Sequence, residues 1–289
     1  MTKWTAANLP DLTGRTIIVT GASSGIGLIA AREFARVGAR VILAVRDTHK
    51  AEALVAAIPG NTEVRELDVS SMSSVRRFAR EWTGPIEILV NNAGIMEVPF
   101  SRTADGFESQ VATNYFGPFL LTTLLLPKIT GRVVSVSSQL HRLGKLHLED
   151  LAGTDRPYSA VNAYNDSKLD LTLFSLELQS RLSASGSAVR SMIAHPGIAL
   201  TNLGQGSASA NMTKRLGFLF NDAERGALPT LFAATQDIPG NSYVGPRGPG
   251  SMSGYPTPRK PSSAARNTAS ARSLWDATET LLRSVPAQP

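Results

Sequence analysis

Short apolar, β-branched runs recur along the chain, and stretches with helical spacing separate them. Residues 16–20 (TIIVT), 40–45 (RVILAV), 63–69 (EVRELDV), 86–90 (IEILV), 132–137 (RVVSVS) and 188–194 (AVRSMIA) read as strands, with a shorter strand-like piece at 241–244. Between them, 28–37, 48–58, 71–82, 104–129, 162–183 and 223–235 carry helical periodicity, and 273–282 predicts a last helix. In 71–82, for example, Val75, Phe78, Ala79 and Trp82 share one face. The long stretch 104–129 is expected to bend at Gly117-Pro118, because proline removes a backbone donor.

Strand and helix alternating through short connections mean parallel pairing with right-handed crossovers. The predicted fold is therefore α/β: a Rossmann-like, doubly wound parallel sheet of about seven strands with helices on both faces. One domain over 1–289 is expected. It carries an irregular substrate-loop segment at 199–222 and an extended C-terminal segment at 245–289, where Pro, Gly and Ser are frequent.

Composition narrows the chemistry. The 289 residues are 42% hydrophobic and 18% charged, enough apolar material for a large core and too little charge for disorder. No cysteine is present, which excludes disulfide frameworks, thiolate metal sites, iron–sulfur clusters and a cysteine nucleophile; no metal site is expected. Absence of thiols fits a reducing compartment, and a cytoplasmic location is the expectation. The start, MTKWTAANLPDLTGR, lacks an apolar signal core, and the lipid-like run 116–126 is too short to span a bilayer, so membrane insertion is not expected. The formal charge of +6 is scattered and aromatics are only 6%, which argues against a nucleic-acid surface and leaves an anionic small ligand.

The first strand runs into TGASSGIG at 20–27, which opens a helix. Gly21, Gly25 and Gly27 allow a tight turn and close backbone approach to a pyrophosphate at the positive helix end; Ser23, Ser24 and Ile26 lie in the same turn. At the end of the second strand, Arg46 suits the 2′-phosphate of NADP, with Lys50 as a helper and Asp47 as helix cap; with the strand end one residue later, Asp47 would instead hold the 2′-hydroxyl of NAD. Asp68 can accept from an adenine amino group while Val69 packs on the ring. Asn92, Ala93 and Gly94, in NNAG, leave room for ribose and nicotinamide. Tyr164 and Lys168 stand at i and i+4 on one helical face, where the ammonium is expected to lower the phenol pKa and make Tyr164 a proton donor or base. Ser138, with Ser135 and Ser137 as competitors, could hold the substrate oxygen. Asn114 is a polar residue in an apolar helix. His195 reads as a packed or capping residue, and Pro196 and Gly197 could bring backbone to the cofactor carboxamide.

Taken in order, these motifs resemble the short-chain dehydrogenase/reductase family over roughly 14–285. The resemblance implies a tetrad: Tyr164 as acid/base, Lys168 lowering its pKa and binding ribose, Ser138 orienting the carbonyl, and Asn114 holding a relay water. It adds Ile198 and Thr201 to the cofactor contacts. Stretches such as VILAVRD, AYNDSKL and HPGIALTNL are similar to the branch containing retinol dehydrogenases and light-dependent protochlorophyllide reductases. That branch generally prefers NADP(H), in accord with Arg46, with NAD(H) second. The photoreductases use a cysteine that this chain lacks, and the membrane-anchoring helix of many retinol enzymes is missing, so a soluble form is expected. The implied activity is hydride transfer with a bulky apolar carbonyl or secondary alcohol, retinoid-, steroid- or polyketide-like. A catalytically silent NADP-binding sensor or scaffold of the same fold is the alternative, and homodimer and monomer both remain open.

Overall fold

The computed structural model describes residues 3–197 and 222–285. Eight strands form one sheet: β1 (Thr16–Thr20), β2 (Arg40–Val45), β3 (Asn61–Glu66), β4 (Ile86–Asn91), β5 (Ile129–Val136), β6 (Arg190–Ala194), β7 (Tyr243–Pro246) and β8 (Pro256–Arg259). Their order is β3-β2-β1-β4-β5-β6-β7-β8. The first seven pair in parallel and β8 runs antiparallel to β7.

Period-2 burial divides the core. Ile18 and Ile42 face one apolar layer, with α3 (Met72–Glu81), α5 (Gly117–Leu125), α6 (Ala160–Ala184) and α8 (Thr268–Ser284). Ile17, Val19, Val41 and Leu43 face the other, with α1 (Gly25–Arg36), α2 (Thr48–Val55) and α7 (Ala223–Thr235). Both faces are covered, which is why the central strands read as continuous apolar runs rather than alternating ones.

Three differences from the sequence reading have physical reasons. Pro118 sits in the first turn of α5, where a missing N–H costs nothing, and the irregularity lies before it. A single α turn, α4 (Ser109–Val111), leads into a π stretch, Ala112–Phe116, and Gly117 N–H donates to the Ala112 carbonyl. Gly117 answers a packing need: a Cβ there would lie 2.0 Å from the Val69 carbonyl oxygen. Next, helical structure ends at Lys128, so Ile129 opens β5 rather than closing a helix. Finally, the irregular stretch before the predicted last helix holds β8, and that helix, expected over 273–282, runs longer as α8. β8 is an edge strand, where Pro256 and Pro258 are tolerated. α8 lies on α6, with Trp275 stacked on Phe174 at 5.6 Å and Tyr115 Oη bonded to Thr278 Oγ1 at 2.6 Å. Among the described residues, no helix is long and apolar enough to cross a membrane.

Candidate active site

The loops at the carboxyl ends of β1, β2, β4 and β5 enclose a cleft of about 940 Å³. Thr20, the last residue of β1, organises its floor. Its hydroxyl donates to the Val90 carbonyl and accepts the amides of Asn92 and Ala93, each at 3.0 Å. Asn92 Nδ2 donates back to the Thr20 carbonyl at 2.8 Å. The glycine-rich turn therefore packs directly on NNAG. A Cβ on Gly27 would lie 2.3 Å from Asn92 Nδ2, and one on Gly21 (φ +65°) 2.8 Å from Ala93 Cα. Gly21 and Gly27, which also line the cleft, thus answer packing between loops in addition to the tight turn expected of them.

What faces the cleft is the start of α1. Ser24 occupies its N-cap position but makes no side-chain cap bond. By contrast, Asp47, Ser71, Ser159, Asp222 and Asn267 cap α2, α3, α6, α7 and α8 through side-chain oxygens. The amides of the first turn of α1 thus open, without a capping side chain, onto a cleft also lined by Ser23, Gly25 and Ile26. An anion is the partner such a terminus favours. Arg46 and Lys50 line the same rim, and Asp47 caps α2 by accepting from the Lys50 amide at 3.0 Å. Asp68 and Val69 line the cleft just past the end of β3; Asp68 Oδ1 accepts the amide and hydroxyl of Ser70 at 2.9 and 2.6 Å. These groups fit a dinucleotide: an open helix end for pyrophosphate, cations for a further phosphate, and small residues at Ala93 and Gly94 for a ring.

At the far wall stand Tyr164 and Lys168 from α6, with Pro196 after β6. Lys168 Nζ donates to the Val136 carbonyl at 3.0 Å and lies 5.8 Å from the Tyr164 ring centre. A Cβ on Gly94 would come within 3.4 Å of that ammonium. Ser138 does not line the cleft; Ser137 does, although its hydroxyl is engaged with the Lys168 carbonyl and Thr172. Ser138 instead caps the short helix Gln139–Leu143 and hydrogen-bonds the Tyr164 side chain. Asn114 is fully buried behind the wall. Its amide holds both backbone groups of Ile95, each at 2.9 Å, and donates to Ser167 at 3.0 Å, so the side chain is committed to the protein. Gly197 donates to His195 Nδ1 and lies off the cleft. Ile198 and Thr201 fall outside the described residues.

Burial pushes the Tyr164 phenol up to about 12, against the lowering expected from Lys168; the Ser138 bond pulls it down and the Glu97 charge raises it further. Burial also lowers Lys168 to about 8.

Besides Thr20, two side chains escaped the sequence reading. Gln110, fully buried in α4, accepts the Glu97 amide at 2.8 Å and donates to Tyr158 Oη and to the Ala160 carbonyl at the start of α6. Glu97 itself stands at φ +53°, in the left-handed region that a side chain rarely adopts. The only trace in sequence was an acid inside the apolar run IMEVPF.

The fold and cleft match a known family: its profile, described as short chain dehydrogenase, covers residues 15–211. The chain belongs to the short chain dehydrogenase family. Within that family it is similar to "Retinol dehydrogenase 13" of Homo sapiens, 38% identical over 287 residues, covering 91% of this chain and 82% of that one. It is also similar to "Polyprenol dehydrogenase" of Mus musculus, 40% identical over 245 residues, covering 78% and 73%. Among solved structures, one of a Mycobacterium paratuberculosis protein is 48% identical with a TM-score of 0.87, covering 99% of this chain and 100% of that one. The family assigns the chain to oxidoreductases acting on alcohol and carbonyl groups, the retinol dehydrogenase-like branch in particular.

Proposed function

We propose that this short chain dehydrogenase is an NADP(H)-dependent oxidoreductase acting on a bulky apolar carbonyl or alcohol. One observation carries the reading: the Tyr164–Lys168 pair opens into the same cleft as the uncapped end of α1. The α1 amides and Ser23 would hold the pyrophosphate, Arg46 and Lys50 the 2′-phosphate, and Asp68 and Val69 the adenine. When bound, the nicotinamide supplies or accepts the hydride. Tyr164 gives a proton to the carbonyl oxygen in reduction and removes it from the hydroxyl in oxidation. Ser138 orients the Tyr164 hydroxyl through their hydrogen bond. Lys168, held by the Val136 carbonyl, keeps a positive charge beside the phenol below about pH 8. Asn114 acts by position: it fixes Ile95, directly after Gly94, against α6. The relatives' names point to long isoprenoid alcohols, which suits an apolar substrate class.

The test is consumption of NADPH and of NADH against small and bulky ketones and aldehydes, for the wild type, Tyr164→Phe and Arg46→Ala. We expect turnover of bulky substrates with NADPH preferred. Tyr164→Phe should lose at least about 100-fold in kcat, the usual worth of a general acid, with cofactor binding retained. Arg46→Ala should raise KM for NADPH and leave that for NADH unchanged. Full activity in Tyr164→Phe would remove the acid/base role, and a preference for NADH would return Asp47 to the ribose.

A further inference from the structure

An open surface depression of about 590 Å³, whose lining cations are exposed, lies between the β7–β8 hairpin and the turn that follows β5, and shares no lining residue with the cleft. Three cations line it: Arg142 from the short helix Gln139–Leu143, and Arg259 and Lys260 from the end of β8. No carboxylate does, and none of the three forms an ion pair with a described residue. The segment 198–221 contains Lys214 and Arg215 and no Asp or Glu, so it offers no neutralising charge either.

Most donors of the three cations remain available. Arg142 donates from Nη2 to the Lys260 carbonyl, and Arg259 from Nε to Ser251 Oγ at 3.0 Å. The Lys260 ammonium makes no hydrogen bond to a described residue. Gln139 also lines it, and its Oε1 is buried with no partner among the described residues. Charges on an edge strand such as β8 discourage strand addition. That accounts for Arg259 and Lys260, but not for Arg142 from another element or for the orphaned Gln139 oxygen.

We propose that this depression binds a phosphate monoester. Two guanidinium forks and an ammonium match the several oxygens of that group better than they match a single carboxylate. As the singly charged monoanion, the group keeps a hydroxyl that can donate to Gln139 Oε1. The depression backs onto the catalytic side of the molecule. Gln139 follows Ser138, and the Ser251 carbonyl accepts from His195 Nε2, one residue before Pro196.

The test is calorimetric titration of glycerol 3-phosphate into the wild type and into Lys260→Glu. NADPH is held at saturation so that the open end of α1 does not compete. The Lys260 side chain holds nothing in the fold, so its replacement leaves the molecule folded; Arg259→Gln is the second variant. Saturable binding by the wild type, weakened at least tenfold in Lys260→Glu and also reduced in Arg259→Gln, is the expected result. Co-sedimentation with phosphatidylcholine vesicles, with and without phosphatidic acid, separates the two sources of the group. Binding of glycerol 3-phosphate alone assigns the site to a soluble ester. Lys260-dependent binding to the phosphatidic acid vesicles assigns it to a lipid headgroup. Binding of neither, or equal binding by wild type and Lys260→Glu, overturns the proposal.

Discussion

Glu97 holds an unfavourable backbone conformation, and its charge raises the Tyr164 phenol. On the proposed reading, alcohol oxidation uses Tyr164 as a base, so its rate should climb with pH through neutrality, whereas reduction uses the protonated phenol already present. Replacing Glu97 by Gln removes one negative charge facing the phenolate. The pH of half-maximal oxidation should then move down, each unit being worth about 1.4 kcal/mol. A pH–rate profile measures this, and an unchanged or upward-shifted limb would remove Glu97 from the electrostatics of the site. Local spacing made Tyr164 and Lys168 visible in sequence, because a helix puts i and i+4 together. Glu97, Gln110 and Thr20 stayed invisible because their partners lie across the fold: Gln110 reaches Ala160, and Thr20 reaches Asn92.

At the scale of elements, the parallel strands were legible because burial on both faces writes them as unbroken apolar runs. β8 (PTPR) has no such run and carries two prolines, which only an antiparallel edge accommodates. The π stretch had no code either: proline drew attention to Gly117-Pro118, one turn past Asn114. α8 was read shorter than it is, yet its contacts are among the molecule's densest aromatic ones. Trp275 packs on Phe119 at 4.9 Å and Phe174 at 5.6 Å, with the Arg181 guanidinium 4.5 Å over its ring. Trp275→Ala should cost about 3–5 kcal/mol in urea unfolding. A loss under about 1 kcal/mol would mean that α8 contributes little to holding α6.

Across the whole molecule, two histidines are buried on either side of Tyr243, whose ring lies 5.4 Å from His141 and 6.1 Å from His195. Burial lowers both, His195 to about 4. Each is neutral in the fold, giving one ring N–H to a carbonyl and accepting an amide on the other nitrogen. A folded pKa below the unfolded value near 6.5 gives stability that is present at neutral pH and lost as pH falls towards about 4. At pH 5 His195 alone should remove about 2 kcal/mol relative to pH 7. Unfolding free energies at the two pH values check this, and equal values would refute it. The packing of α8 on α6 has one more consequence, for biosynthesis. The helix that presents Tyr164 is made mid-chain, but its outer face stays bare until residues 268–284 have been translated and docked. A nascent chain lacking that segment would expose Phe119 and Phe174 to its surroundings, so the wall that carries Tyr164 should be completed only once residues 268–284 have docked.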